Sequence, residues 1–308
     1  MKIVFMGTPE FAVASLDILV KNGYDVAAVV TATDKYGGRG GKQLIQSAVK
    51  QYAVENNLPV LQPEKLKNPE FIDILRGLKA DLFIVVAFRM LPEIVWTMPP
   101  LGTMNLHGSL LPKYRGAAPI NWAIIKGEKE TGVTTFFLKH EIDTGDVLFT
   151  SKIPISPDMT AGELHDNMMQ LGAETVLKSV KTIEKGDYIL QAQADTEATH
   201  APKIFLETCE INFNQSTQDV HNFIRGLSPY PTAWTTLDGL KLKVFKAVMD
   251  TVSENVEIYV AKKILTDQKN FIKIKTKDGF ILLLDIQLEG RKRMSVKDFL
   301  NGYQIKSI

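Results

Sequence analysis

Strand-like apolar runs alternate with helix-like segments from the second residue onward, and this alternation narrows the possible folds more than any other feature of the chain. Residues 2–6 (KIVFM) read as a short strand. Gly7-Thr8-Pro9-Glu10 then opens a helix, with Thr8 as its N-cap and Pro9 at the first helical position. Phe11, Leu16 and Leu19 supply part of that helix's apolar face. Residues 25–31 form a valine-rich strand, and helical patterns at 43–56 and 69–78 alternate with apolar runs at 58–61 and 81–87. Such alternation predicts an α/β unit, an open parallel sheet with helices on both faces. Thr160-Ala-Gly-Glu163 is a capping box ahead of a long helix carrying Leu164, Met168, Leu171, Leu177 and Val180.

The pattern changes near residue 186. Residues 187–205 are mixed and weakly periodic, as a linker would be. Beyond them, one helical stretch (217–226) precedes strand-like runs at 241–248, 256–264, 271–275 and 280–287. Short strands with one helix predict a small β-barrel. At 308 residues the chain exceeds one compact domain, and it divides into 1–186, a linker at 187–205, and 206–308. From residue 200 on there are 16 Lys and Arg against 12 Asp and Glu, whereas the residues before it hold 20 against 23. A basic tail on a mildly acidic body suits a polyanionic partner or a solvated surface. The single cysteine, Cys209, excludes an internal disulfide framework. No apolar run reaches membrane-spanning length, and 1–7 (MKIVFMG) runs straight into strand and turn rather than reading as a signal peptide. The expected location is the cytoplasm.

Chemistry concentrates in two places. The first is 105–119, NLHGSLLPKYRGAAP. If 101–106 is extended, Asn105 and His107 project to the same side, because strand side chains alternate. An amide donor beside a titratable ring at a strand's C-terminal end suits polarising a carbonyl and handling a proton. Open α/β sheets keep their ligands at such ends. Taken alone, Asn-x-His also fits a polar strand end with a turn. The second place is 140–146, HEIDTGD, where two acids three apart flank a glycine turn and a carboxylate could orient an imidazole and stabilise its cationic form. The same residues fit a self-capped Asp-Gly turn. His107, His140, Asp143 and Asp146 are possible metal ligands too, although no tight histidine pair accompanies them. His165, His200 and His221 read as structural.

Two glycine-rich stretches are less specific. GTPEFA lacks the later glycines of the dinucleotide fingerprint, so nicotinamide binding is disfavoured. Residues 36–42 (YGGRGGK) carry Tyr36 and Gln43 where a triphosphate loop needs Gly and Ser or Thr. What remains is a Gly-rich loop displaying Lys35, Arg39 and Lys42, with Lys50 just beyond, suited to gripping phosphates without reading sequence or simply to a surface position.

Together, NLHGSLLPKYRGAAP and HEIDTGD resemble the folate-dependent formyltransferases, which move a formyl group from 10-formyltetrahydrofolate to an amine. The resemblance covers the whole chain: MGTPEFA, the GRGGK loop and SPYPTAW at 228–234 point within the family to members whose acceptor is a charged tRNA. It implies a Rossmann-like formyl-transfer domain followed by an OB-like barrel that helps hold the acceptor. Asn105, His107 and Asp143 fall on the family's catalytic positions, and Ser109, Leu110, Leu111 and Pro112 on its folate-contacting segment. Arg39 and Lys42 lie in the loop that reaches the acceptor stem. The implied reaction formylates the α-amino group of initiator methionyl-tRNA for translation initiation. The implied enzyme is a monomer with folate as cosubstrate and no metal. Rival readings are a sugar amine, a small ribonucleotide amine or water as acceptor, a non-catalytic RNA-binding protein, and a metallohydrolase.

Overall fold

The computed structural model describes residues 1–37, 41–250, 259–261 and 264–306. The chain divides into two compact units. One comprises Met1–Gly116, Thr131–Ile153 and His165–His200; the other comprises Ala117–Glu130, Pro154–Leu164 and Ala201–Ile308.

The first unit is built on a seven-stranded sheet in the order Val147–Pro154, Glu130–Phe137, Thr103–His107, Leu82–Val86, Lys2–Gly7, Asp25–Val30, Val60–Leu61. The strands from Thr103–His107 to Val60–Leu61 run parallel. Glu130–Phe137 then joins antiparallel to Thr103–His107, so the Rossmann-like sheet is mixed at one side. Ile3, Val4, Phe5 and Met6 are all fully buried, as are Leu82 and Ile84. An uninterrupted apolar run of that kind marks a strand covered on both faces. On one face Val4, Met6, Val30, Phe83 and Val85 pack with Phe71, Ile72 and Leu75 of the helix Pro69–Leu78. Each such buried side chain contributes roughly 1.5–3 kcal/mol.

The helix Ala161–Lys185 follows the expected capping box, in which the Thr160 amide donates to Glu163 Oε2 at 2.8 Å and the Glu163 amide to Thr160 Oγ1 at 3.3 Å. It lies close to the strand that carries Asn105 and His107. A Cβ on Gly172 would meet Leu106 Cδ2 at 2.8 Å, so glycine permits this approach. Hydroxyl pairs Thr135–Ser179 and Thr175–Ser151, each at 2.8 Å, fix the helix against the antiparallel strands.

Three sequence expectations are corrected here. The first helix, Glu10–Lys21, has Pro9 rather than Thr8 as N-cap, with no side-chain cap; Pro9 is extended (φ −79°, ψ 172°) and starts the helix one residue late. The pattern at 43–56 is two elements. Gln43–Ile45 pairs antiparallel with Lys35–Gly37, and the helix Ala48–Glu55 begins only after Ser47, whose side chain accepts from the Lys50 amide. Leu44 and Ile45, which fall within the run read as helical, are exposed hairpin residues. The run at 256–264 falls on two antiparallel strands, Tyr259–Ala261 and Ile264–Thr266, among the described residues.

The second unit is OB-like. Its antiparallel sheet has the order Ala233–Leu237, Leu240–Asp250, Phe280–Leu288, Ile272–Lys275, Ile264–Thr266, Tyr259–Ala261, with Met294–Ser295 beside Phe280–Leu288. Register shifts at 244–247 in Leu240–Asp250 bend that long strand. Helix Thr217–Gly226 buries Val220 and Ile224 in the core with Val244, Ile286 and Leu288. The helix Val296–Asn301 near the end of the unit was not expected. Its signal was Ser295 followed three residues later by Asp298, a mutual cap that the structure forms.

Candidate active site

Residues Thr103–His107 form a strand whose C-terminal end lies beside that of Leu82–Val86, next to the point where the sheet reverses its winding. Asn105 sits between Val85 and Phe136 on the neighbouring strands. The period-two alternation puts His107 on the same face. Asn105 is half-buried, and its amide has no hydrogen-bond partner among the described residues. It is a donor available to a ligand.

His107 is buried. Its Nε2 lies 2.8 Å from the carbonyl oxygen of Tyr114, a residue with φ +60°. A carbonyl can only accept, so Nε2 carries the proton and the tautomer is set by the chain itself. Nδ1 faces Asp143 Oδ2 at 3.8 Å, close enough for an ion pair and too far for a direct hydrogen bond. Both side chains are about nine-tenths buried, so little solvent screens them from each other.

Asp143 is held at its carboxylate and at its backbone. Its Oδ2 accepts from the Gly116 amide at 2.9 Å. Its backbone is in the left-handed region at φ +57°. Its carbonyl accepts from Gln193 Nε2 at 2.9 Å. Two residues on, Gly145 has no room for a side chain, since a Cβ there would stand 1.6 Å from the Phe137 carbonyl oxygen. The sequence therefore makes a tight turn here for a steric reason, and the turn presents the carboxylate to the ring. Asp146 instead pairs with Lys139 at 2.7 Å, and His140 approaches Glu93 at 3.8 Å; neither joins this cluster.

The 109–112 segment follows directly. Ser109 is fully buried, its Oγ donating to the Lys113 carbonyl at 2.6 Å. Thr134 Oγ1 donates to the Ser109 carbonyl and accepts from the Leu111 amide, which fastens the segment to the neighbouring strand. Leu111 packs with Phe136 and Val147, whereas Leu110 and Pro112 remain half-buried. Of the expected folate contacts, then, Leu110 and Pro112 keep accessible side chains and Ser109 acts on the loop itself. Lys42 is exposed beside the hairpin, and Arg39 lies outside the described residues. Among the described residues no group of three or more His, Cys, Asp or Glu is arranged to hold a metal ion, and no helix is long and apolar enough to cross a membrane.

Sequence reasoning missed Tyr114, Thr134 and Gln193. Tyr114 sits inside the quoted motif, but its contribution is a carbonyl, which carries no side-chain signal. Gln193 lies in the weakly periodic 187–205 stretch, where nothing local marks it.

Comparison with known proteins finds matches along nearly the whole chain. The formyl transferase family matches residues 1–180, and the formyl transferase C-terminal domain matches 203–304. A methionyl-tRNA formyltransferase from Parabacteroides distasonis is 52% identical over 314 aligned positions, covering 99% of this chain and 96% of the relative. Among solved structures, an N-formyltransferase from Helicobacter canadensis in complex with folinic acid and dTDP-3-aminofucose superposes with a TM-score of 0.67 at 21% identity, covering 96% of this chain and all of that one. HypX from Aquifex aeolicus in complex with tetrahydrofolic acid gives 0.65 at 20% identity, covering all of this chain and 49% of HypX.

Proposed function

The chain belongs to the formyl transferase family through both of its domains, and from that premise we propose that it transfers the formyl group of 10-formyltetrahydrofolate to the α-amino group of methionine on initiator methionyl-tRNA. The product is N-formylmethionyl-tRNA for translation initiation, and the folate is a cosubstrate rather than a resident cofactor. The observation that carries the site assignment is the buried His107–Asp143 pair facing the same strand end as the unpartnered Asn105 amide.

The chemistry follows from those atoms. The neutral amine attacks the formyl carbon, forming the new C–N bond and a tetrahedral oxyanion. Asn105 donates to that oxygen, and such a donor is worth about 10²–10³ in turnover. Collapse breaks the bond from carbon to the folate nitrogen, which leaves with a proton, while the amine gives one up. Because the Tyr114 carbonyl holds the proton of Nε2, Nδ1 is the ring nitrogen left to accept a proton and hand it on. Asp143 stands opposite to stabilise the cation so formed.

Leu110 and Pro112, with the backbone of 109–112, contribute to the folate site. Residues 206–308 bind the acceptor tRNA, 1–186 carry the chemistry, and 187–205 join them. Arg39 and Lys42 meet the acceptor's phosphates. Cationic side chains grip the nucleic acid backbone through counterion release. The enzyme works as a cytoplasmic monomer.

The test is a formylation assay with labelled 10-formyltetrahydrofolate. Methionyl initiator tRNA is expected to take up label while uncharged tRNA and elongator methionyl-tRNA do not. Label appearing instead on a nucleotide-linked sugar amine would replace the acceptor. Label appearing on nothing would remove the activity.

A further inference from the structure

The segment that leaves the long helix grips both halves of the His107–Asp143 pair. Gln191 exchanges backbone hydrogen bonds with Val147, and Tyr188 stacks on Phe137 with ring centroids 6.1 Å apart, so the segment runs along the edge of the site. At its far end Thr199 holds the histidine side: its Oγ1 accepts from the Tyr114 amide at 2.8 Å and its carbonyl from the Arg115 amide at 2.9 Å. Tyr114 is the residue whose carbonyl fixes the His107 tautomer. Between these points Gln193 holds the carboxylate side. Its Nε2 donates to the carbonyls of Asp143 at 2.9 Å and Gly145 at 2.8 Å, while its Oε1 accepts from Arg115 Nη2 at 2.8 Å and Nε at 3.2 Å.

We propose that Gln193 is a positioning residue for formyl transfer, its side-chain amide fixing the Asp143 turn so that the carboxylate stands against His107. The inference rests on the roles given above to His107 and Asp143. The chemistry of the contacts demands a glutamine. Two carbonyls require an NH₂ group with both hydrogens used, and a guanidinium requires an acceptor, so the amide's orientation is unambiguous. Glutamate has the right length but offers no donor to the carbonyls. Alanine removes the donor from both carbonyls and leaves the Arg115 guanidinium with Asp195 Oδ1 at 2.7 Å but without its amide acceptor. Asp143 needs such a restraint because a non-glycine residue at φ +57° holds that conformation only where its surroundings over-determine it. The Gly116 amide holds the carboxylate tip, and Gln193 holds the backbone beneath it.

The experiment is a double-mutant cycle on the full chain. Gln193→Ala and Gln193→Glu are expected to lower kcat by roughly 10²-fold with KM for both substrates within about twofold, as a misplacement near 1 Å does. In an Asp143→Asn background, itself impaired, the further loss from either Gln193 variant is expected to shrink to within about threefold, since the group being positioned is already disabled. In an Asn105→Ala background the full loss is expected to persist. Thermal midpoints confirm that the variants are folded at the assay temperature. Wild-type kcat in a folded Gln193 variant overturns the proposal, and so does an equal loss with and without the Asp143 carboxylate. Unfolding of both variants likewise overturns it, by assigning Gln193 to the fold. Wild-type turnover in Asp143→Asn alone would instead sink the catalytic reading beneath it, so the two failures are told apart.

Discussion

Each unit of the protein buries a histidine near an aspartate, and the two pairs differ in everything except the distance. His107 lies 3.8 Å from Asp143, and His221 lies 3.6 Å from Asp158. Asp143 is buried and held through the Gly116 amide and Gln193. The Asp158 side chain is 80% exposed, and among the described residues no hydrogen bond restrains it. His221 also has Arg225 beside it, and burial first, then that cation, lower its pKa below the ordinary 6.5 against the weaker pull of Asp158 and the Ala247 carbonyl. Arg225 itself is committed to Asn222 Oδ1 and the Met159 carbonyl. A charged partner at ion-pair distance therefore does not make a working pair. What matters is whether the carboxylate is desolvated and held, because an exposed charge is screened and free to turn away.

The largest expected effect separates the two aspartates directly. Asp143→Asn should lower kcat on the order of 10²–10³-fold, as should His107→Ala and Asn105→Ala, with folding preserved. Asp158→Asn should leave kcat within about twofold and shift stability by no more than about 0.5 kcal/mol. Equal losses at the two positions, measured by single-turnover formylation, would erase the distinction. Next comes the turn that holds Asp143. Gly145→Ala puts a methyl group where the Phe137 carbonyl oxygen stands 1.6 Å away, so the turn must move. The expected result is a kcat loss on the order of 10²-fold together with about 1–3 kcal/mol of destabilisation. A fully active, fully stable variant would show that the carboxylate tolerates displacement.

The histidine of the second unit makes a pH prediction with a definite sign. A depressed folded-state value means that the unfolded chain binds the proton more readily. His221 therefore contributes stability that is present above about 6.5 and is lost as pH falls through its lower folded-state value. Urea midpoints at pH 7.5 and 5.5 should fall more steeply for the wild type than for His221→Leu, which has nothing to protonate. Parallel slopes in the two proteins would remove His221 from the pH dependence.

The contrast between the two pairs was half visible in the chain. Asn105 and His107 fall two apart in an apolar run, and the strand Thr103–His107 does place them on one face. The glycine after Asp143 signalled a tight turn, and Gly145 is sterically required there. Spacing could not tell that Asp143 meets His107 while Asp146 goes to Lys139, because both carboxylates belong to the same turn and only packing selects between them. The grip of Gln193 left no trace, since it consists of contacts to backbone carbonyls made from a segment with no periodicity. Local rules failed for a related reason at 43–56, a run read as helical in which Leu44 and Ile45 pair across a hairpin. His221 was expected to be structural on its helical context, and burial in the second unit's core agrees with that reading.

The smallest effect isolates restraint from burial. Glu163 is an acid that is hydrogen-bonded yet near solvent: its Oε2 accepts from the Thr160 amide and hydroxyl, each at 2.8 Å. Those bonds, the backbone one foremost, lower its pKa below the ordinary 4.5. Thr160→Ala removes the hydroxyl contact and the reciprocal acceptor for the Glu163 amide. The expected cost is about 1 kcal/mol of stability near pH 7, with turnover unchanged. Because a depressed carboxylate contributes stability that is present above 4.5 and lost as pH falls through its folded value, the gap between wild type and variant should narrow in more acidic solution. A gap that stays constant from pH 7 to pH 3 would mean that the cap acts through the hydroxyl alone. Restraint without burial would then yield helix stability but no charge-dependent term, and the comparison of Asp143 with Asp158 would rest on desolvation rather than on the hydrogen bonds that hold the turn.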